Sequence, residues 1–197
     1  MKTKKCLAFI GEFRSGKDTA ADYLAKKLNC KKFALATPLK ELVCNLFQIS
    51  MEELDKFKNE HWSIDAYELL TPVYDDGDYK RLNTTFRSIL QRTGDSMKQF
   101  FGTHVFMSKL HEKIRDEDMV VISDVRLKEE QDWLMSHRDT VFIKIVRNTE
   151  KTADSNHRTE TESNTLSWDY LVENNGTIEE LYEKLAVIIY YIKSNEN

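Results

Sequence analysis

Apolar positions fall into two rhythms along this chain, short unbroken runs and longer stretches at helical spacing. Cys6–Ile10 reads Cys-Leu-Ala-Phe-Ile, a continuous apolar run of the kind that fills a buried parallel strand. Residues 17–28 then set Ala20, Ala21, Leu24, Ala25 and Leu28 at helical spacing. Residues 32–36 predict a second short strand. Pro38 suits an early helical position, and Leu39, Leu42, Val43, Leu46 and Phe47 form an apolar stripe behind it. Ser50 followed by Glu53 predicts a capping box for a short helix over 51–57. The stretch 59–83 holds Pro72, the Asp75-Asp76-Gly77-Asp78 turn and scattered aromatics, and reads as an irregular insertion.

Helical periodicity resumes over 85–100, with Phe86, Ile89, Leu90 and Met97 on related faces, and again over 103–115. Met119–Ser123 (Met-Val-Val-Ile-Ser) is the clearest second buried strand, and it runs into Asp124. A helix over 128–137 and a strand over 141–146 follow. Residues 147–167 are polar and aperiodic. A last strand is expected at 170–172, and an amphipathic helix over 178–192 closes the pattern. Strands alternating with helices predict an α/β fold with a parallel sheet covered on both faces.

The 197 residues suit one domain with a sizeable core. A net charge of −4 argues against a nucleic acid polymer as an electrostatically held partner. Cys6, Cys30 and Cys44 are odd in number and match no zinc spacing, which points to a reducing compartment. The basic start superficially resembles a signal peptide, but its apolar run is too short. No apolar stretch approaches the roughly 20 residues of a membrane span. The expectation is a cytoplasmic protein with no membrane partner.

Candidate chemistry begins where the first strand meets the first helix. Gly11, Gly16 and Lys17 match the phosphate-loop template of two glycines with four residues between them, followed by lysine. Glycines let the backbone turn its N–H groups toward phosphate oxygens, and the helix N-terminus adds partial positive charge. Lys17 carries a mobile full charge for the β and γ phosphates. The usual hydroxyl after the lysine is replaced by Asp18, with Thr19 one place later. Asp18 offers a hard oxygen to Mg²⁺, and Thr19 a hydroxyl to the α-phosphate. The Gly-Lys-x-Thr order is closer to nucleoside monophosphate kinases than to GTPases.

Asp124 stands at the end of its strand, where open parallel sheets bind ligands, and is a second candidate for the Mg²⁺ side. Arg126, two residues on, is a phosphate candidate. Arg87 and Gln91 are four apart and share one helix face. The guanidinium suits a monophosphate and the amide a base edge. Arg147 opens the polar stretch bearing Lys151, His157, Arg158, Glu160 and Glu162, read as a lid over 147–167.

Taken together, these blocks resemble the deoxynucleoside monophosphate kinases of tailed bacteriophages. The resemblance rests on Arg14-Ser15-Gly16-Lys17-Asp18-Thr19, Leu35-Ala36-Thr37-Pro38-Leu39-Lys40, Arg87 through Gly94-Asp95 and Asp124-Val125-Arg126. Val146-Arg147, His157 with Glu160, and Asn174-Asn175-Gly176-Thr177 complete it. The blocks span most of the chain in order. Two departures stand out: no threonine lies between Gly94 and Asp95, and Phe106 stands roughly where the family often has tryptophan.

The resemblance implies a three-layer phosphate-loop fold of the nucleoside monophosphate kinase type. It implies a helical acceptor-binding region over about 38–115 and transfer of the ATP γ-phosphoryl group with Mg²⁺. By carry-over, Gly11, Arg14, Ser15, Gly16, Lys17, Asp18 and Thr19 hold ATP phosphates. Asn175, Gly176 and Thr177 lie near the adenine. Lys40, Arg87, Gln91 and Phe106 face the acceptor. Lys17, Asp124, Arg126 and Arg147 serve catalysis, and Asp18 and Asp124 the metal.

Rival readings are a phosphate-loop kinase for another small acceptor, of dephospho-coenzyme A or phosphomevalonate type, and a non-catalytic nucleotide-binding protein. A GTPase is disfavoured because the chain has no Asn-Lys-x-Asp motif. The Leu/Ile-rich helices leave room for a homodimer interface.

Overall fold

The computed structural model describes residues 4–12, 14–58, 85–148 and 162–194. The expected insertion at 59–83 and most of the expected lid, with His157 and Glu160, lie outside the described residues. Five strands, β1 (Lys5–Ile10), β2 (Lys31–Phe33), β3 (Met119–Val125), β4 (Asp139–Val146) and β5 (Tyr170–Glu173), form one sheet in the order β2-β3-β1-β4-β5. Every pairing is parallel. The helices are α1 (Lys17–Leu28), α2 (Thr37–Phe47), α3 (Met51–Phe57), α4 (Phe86–Phe101), α5 (Val105–Ile114), α6 (Lys128–His137) and α7 (Ile178–Ser194).

The alternation of side chains along β1 explains the layering. Cys6, Ala8 and Ile10 point into a core with Leu110 and Ile114 of α5 and Leu134 of α6. Leu7 and Phe9 point the other way, into a core with Ala20, Ala21 and Leu24 of α1 and Leu181, Leu185 and Ile188 of α7. A strand buried on both faces has to be apolar throughout, hence the unbroken run at 6–10. Tyr23 of α1 stacks on Tyr182 of α7 with ring centroids 4.2 Å apart.

The chain divides into two compact units, 1–36 with 106–197, and 37–105. The first carries the sheet. The second has its own core of Val43, Cys44, Ile49, Leu54 and Phe86. The expected acceptor region, 38–115, overruns this second unit, because Met107, Leu110 and Ile114 of α5 join the core of the first. The capping box forms as expected: Glu53 N–H donates to Ser50 Oγ at 3.1 Å, and Ser50 N–H to Glu53 Oε2 at 2.8 Å. Among the described residues, no helix is long and apolar enough to cross a membrane.

Candidate active site

Because all strands are parallel, their carboxyl ends share one edge of the sheet, where the connecting loops gather. β1 delivers the loop from Gly11 to Gly16, β3 delivers Asp124, β4 delivers Arg147, and β5 delivers 174–177. These are all in the first unit.

Backbone geometry shapes the loop. Arg14 and Gly16 both take positive φ, 63° and 95°, so the chain curls tightly before α1. Gly11 lies so close to β4 that an added Cβ would meet the Ile145 carbonyl oxygen at 2.5 Å. Ser15 N–H donates to the Glu12 carbonyl at 3.2 Å, and Lys17 Nζ donates to the same carbonyl at 3.1 Å. Lys17 is only 4% exposed. Ser15 is also buried, and among the described residues its Oγ has no hydrogen-bond partner. An orphaned hydroxyl of this kind costs about 1–3 kcal/mol unless something bonds it. A loop with a buried cation, a helix N-terminus and an unsatisfied hydroxyl suits a polyanion. Asp18 is exposed and Thr19 half-buried on the first turn of α1.

Asp124 does more than end a strand. Its Oδ1 accepts from Leu35 N–H at 2.6 Å, and its Oδ2 from Ala36 N–H at 3.0 Å. The carboxylate thereby fastens the turn between β2 and α2 to the end of β3. Burial pushes its pKa up; the two backbone donors and Arg126 oppose that, and the charge of Asp18 adds to it. Asp124 thus feels the charges of both Arg126 and Asp18. Asp124 does not cap the next helix. Glu130 Oε2 does so, accepting from the N–H groups of Arg126 and Leu127 at 2.9 and 3.1 Å.

Arg147 is exposed just beyond β4. Asn175, Gly176 and Thr177 are exposed between β5 and α7, and Asn175 Oδ1 accepts from Asn148 N–H at 2.8 Å. Phe106 is half-buried on α5. Lys40, Arg87 and Gln91 belong to the second unit. There Lys40 Nζ donates to Asp55 at 2.7 Å, and Lys58 shares that carboxylate at 3.0 Å. Arg87 and Gln91 are half-buried on α4.

Two neighbours of the loop went unassigned in the sequence. Asn164 Nδ2 donates to Glu12 Oε1 at 2.9 Å, and Asn174 Nδ2 donates to the Ser15 carbonyl at 2.8 Å. Asn174 stood in the Asn174-Asn175-Gly176-Thr177 block of the resemblance and directly after a strand, at the ligand-binding edge, but only 175–177 were given a role.

A parallel sheet in this strand order, with a phosphate loop between β1 and α1, defines a phosphate-loop kinase fold of the nucleoside monophosphate kinase type. The chain belongs to the deoxynucleotide monophosphate kinase family, whose profile matches residues 5–76 and 85–185. A protein of Acanthamoeba polyphaga mimivirus, whose deoxynucleotide monophosphate kinase name is provisional, is 30% identical over 195 residues. That match covers 91% of this chain and 93% of the viral protein. Among solved structures, a Chloroflexus aurantiacus protein provisionally called a kinase aligns with a TM-score of 0.50 at 12% identity, covering 98% of each chain. A dephospho-CoA kinase from Campylobacter jejuni aligns at 0.48 and 12%, covering 98% of this chain and 99% of its own. The protein is thus a kinase-family, nucleotide-binding transferase by membership.

Proposed function

We propose that this chain transfers the γ-phosphoryl group of ATP to a deoxynucleoside monophosphate, giving a deoxynucleoside diphosphate and ADP. The observation that carries the reading is the buried Lys17 inside a positive-φ loop, in a chain that matches this family over most of its length. An oxygen of the acceptor's phosphate attacks the γ phosphorus. The bond from that phosphorus to the β–γ bridging oxygen breaks, and ADP leaves with the electron pair. No covalent enzyme intermediate is needed.

In this reading Gly11, Arg14, Ser15, Gly16 and Thr19 hold the ATP phosphates, and Lys17 neutralises charge on the transferring group. Asn175, Gly176 and Thr177 border the adenine. Arg126 and Arg147 meet phosphate oxygens from the neighbouring strand ends. Lys40, Arg87, Gln91 and Phe106 serve the acceptor. Positioning of two bound nucleotides supplies the rest of the rate.

Magnesium fits the donors present. Asp18 and Asp124 each offer a hard carboxylate oxygen, and the charge of Asp18 bears on Asp124, so a cation near both is electrostatically favoured. Mg²⁺ would hold and neutralise the β and γ phosphates. Asp124 keeps its grip on the 35–36 turn meanwhile, so it holds the site together whether or not it touches the ion's water shell.

The test is ADP release from ATP with each of the four common deoxynucleoside monophosphates and its ribonucleotide counterpart. Turnover of at least one deoxynucleotide is expected. Turnover of none, by protein that binds Mg·ATP, would sink the acceptor assignment and leave the kinase class standing.

A further inference from the structure

Asn174 is the first residue after β5, and it is 6% exposed. Its backbone N–H donates to the Val146 carbonyl at 2.8 Å, which continues the parallel ladder and fixes the residue's position. Its side chain crosses to the phosphate loop, with Nδ2 2.8 Å from the Ser15 carbonyl oxygen. A carbonyl oxygen only accepts, so the amide nitrogen, not the amide oxygen, must face it.

The Ser15–Gly16 peptide is trans, so its C=O and N–H point in opposite directions. A carbonyl held toward Asn174 therefore turns the Gly16 N–H away from Asn174. Released, the same peptide could rotate and offer a carbonyl where a donor is wanted, which repels a phosphate. Gly16 is the hinge of that rotation: its φ of 95° is open to glycine and strained for other residues. A Cβ on Gly16 would meet Asn174 Nδ2 at 2.3 Å. The amide thus occupies the space a side chain at Gly16 would need, so donor and loop are matched in shape as well as polarity.

We propose that Asn174 is a positioning residue for phosphate binding: its amide holds the Ser15–Gly16 peptide in the orientation that directs the Gly16 N–H at the nucleotide. It touches no reacting atom. It couples the β5–α7 connection to the phosphate loop, so ordering one orders the other. The proposal rests on the phosphate-loop reading above and adds a residue that reading does not use.

The test is titration of Mg·ATP, through a fluorescent ATP analogue, into wild type, Asn174→Ala and Asn174→Asp. Loss of a buried hydrogen bond that orients a donor predicts a Kd raised about tenfold or more in Asn174→Ala. The KM for the phosphate acceptor should stay within about twofold. A purely structural role would instead lower the melting temperature and the active fraction while leaving the Kd of the folded protein unchanged. Asn174→Asp replaces the donor with an acceptor facing a carbonyl. Its affinity should fall further at pH 8 and recover as the pH drops, because only the protonated acid can donate.

Folded variants that bind Mg·ATP with wild-type Kd would overturn the proposal. Should both variants fail to fold, hydrogen exchange on the wild type decides: Mg·ATP should protect 14–17 together with 172–174, which precede the stretch assigned to the adenine, and protection of the first without the second contradicts the coupling. A wild type that did not bind Mg·ATP would overturn the phosphate-loop reading itself.

Discussion

Lys17 is the side chain on which the chemistry turns. Template spacing located it in the sequence, and the fold then buries it against the Glu12 carbonyl. Replacing it with alanine removes the charge meant for the transferring phosphoryl group. The expected result is a fall in turnover of about a hundredfold to a thousandfold or more, with an unchanged circular-dichroism spectrum. Diphosphate formation at the normal rate would remove Lys17 from the mechanism. Asp124 was readable as a strand-end carboxylate, but its bonds to Leu35 and Ala36 were not. Those residues lie almost ninety positions away, and only the pairing of β2 with β3 brings them close.

A second prediction at this scale concerns Asp55. Burial would raise its pKa, but hydrogen bonds and charge from Lys40 and Lys58 outweigh that and hold it below the ordinary value of 3.8. A depressed acid favours folding above its unfolded pKa, and that contribution is lost as the pH falls through the folded value. The side chain is 46% exposed, so solvent screening keeps the effect under about 1 kcal/mol. Urea titrations of wild type and Asp55→Asn should differ slightly at pH 7 and converge in acid, as the pH falls through the depressed folded value. A gap that widened in acid would reverse the sign and refute the pairing.

At the scale of elements, the hydrophobic pattern located strands and helices well, but their ends less so. The helix expected over 103–115 runs Val105–Ile114, because Gly102 with φ 88° ends α4 first and the chain needs a turn at 103–104. The strand expected at 32–36 stops at Phe33, and two of the N–H groups beyond it, those of Leu35 and Ala36, go to the Asp124 carboxylate instead of a strand partner. Arg138 was not singled out in the sequence, yet it is nearly buried between α6 and β4. Its guanidinium donates to the carbonyls of Lys5 and Glu117 at 3.3 and 3.1 Å, and to that of Ile114 at the end of α5. A cation at a helix C-terminus is favoured by the dipole. Arg138→Leu strands three acceptors and should cost about 2–4 kcal/mol in urea unfolding. A loss below half a kcal/mol would show that water replaces the guanidinium at little cost.

Seen whole, the three-layer arrangement was legible because β1 and β3 are apolar on both faces, which only a sheet covered on both sides permits. Strand order was not legible, since periodicity carries no information about which strand neighbours which. The division at residues 36 and 105 was hidden for a related reason: α5 reads like its neighbours in sequence but packs beneath the sheet. Cys6 gives a solution check on that core. Burial pushes its thiol up to about 12, against smaller opposing effects of Arg138 and Thr140. At pH 8 roughly one molecule in ten thousand would carry the thiolate. A thiol reagent should therefore modify Cys6 only after denaturation, as peptide mass mapping would reveal, and rapid labelling in the folded protein would contradict the buried sheet.

The kinase assignment itself comes down to where the γ phosphorus goes. ATP carrying a label on that phosphate, incubated with the protein, Mg²⁺ and a deoxynucleoside monophosphate, should give label in the deoxynucleoside diphosphate, one for each ADP formed, and at least about a hundredfold less in the Lys17→Ala sample over the same time. Label found only in inorganic phosphate, or ATP left intact with every deoxynucleotide, would contradict the account.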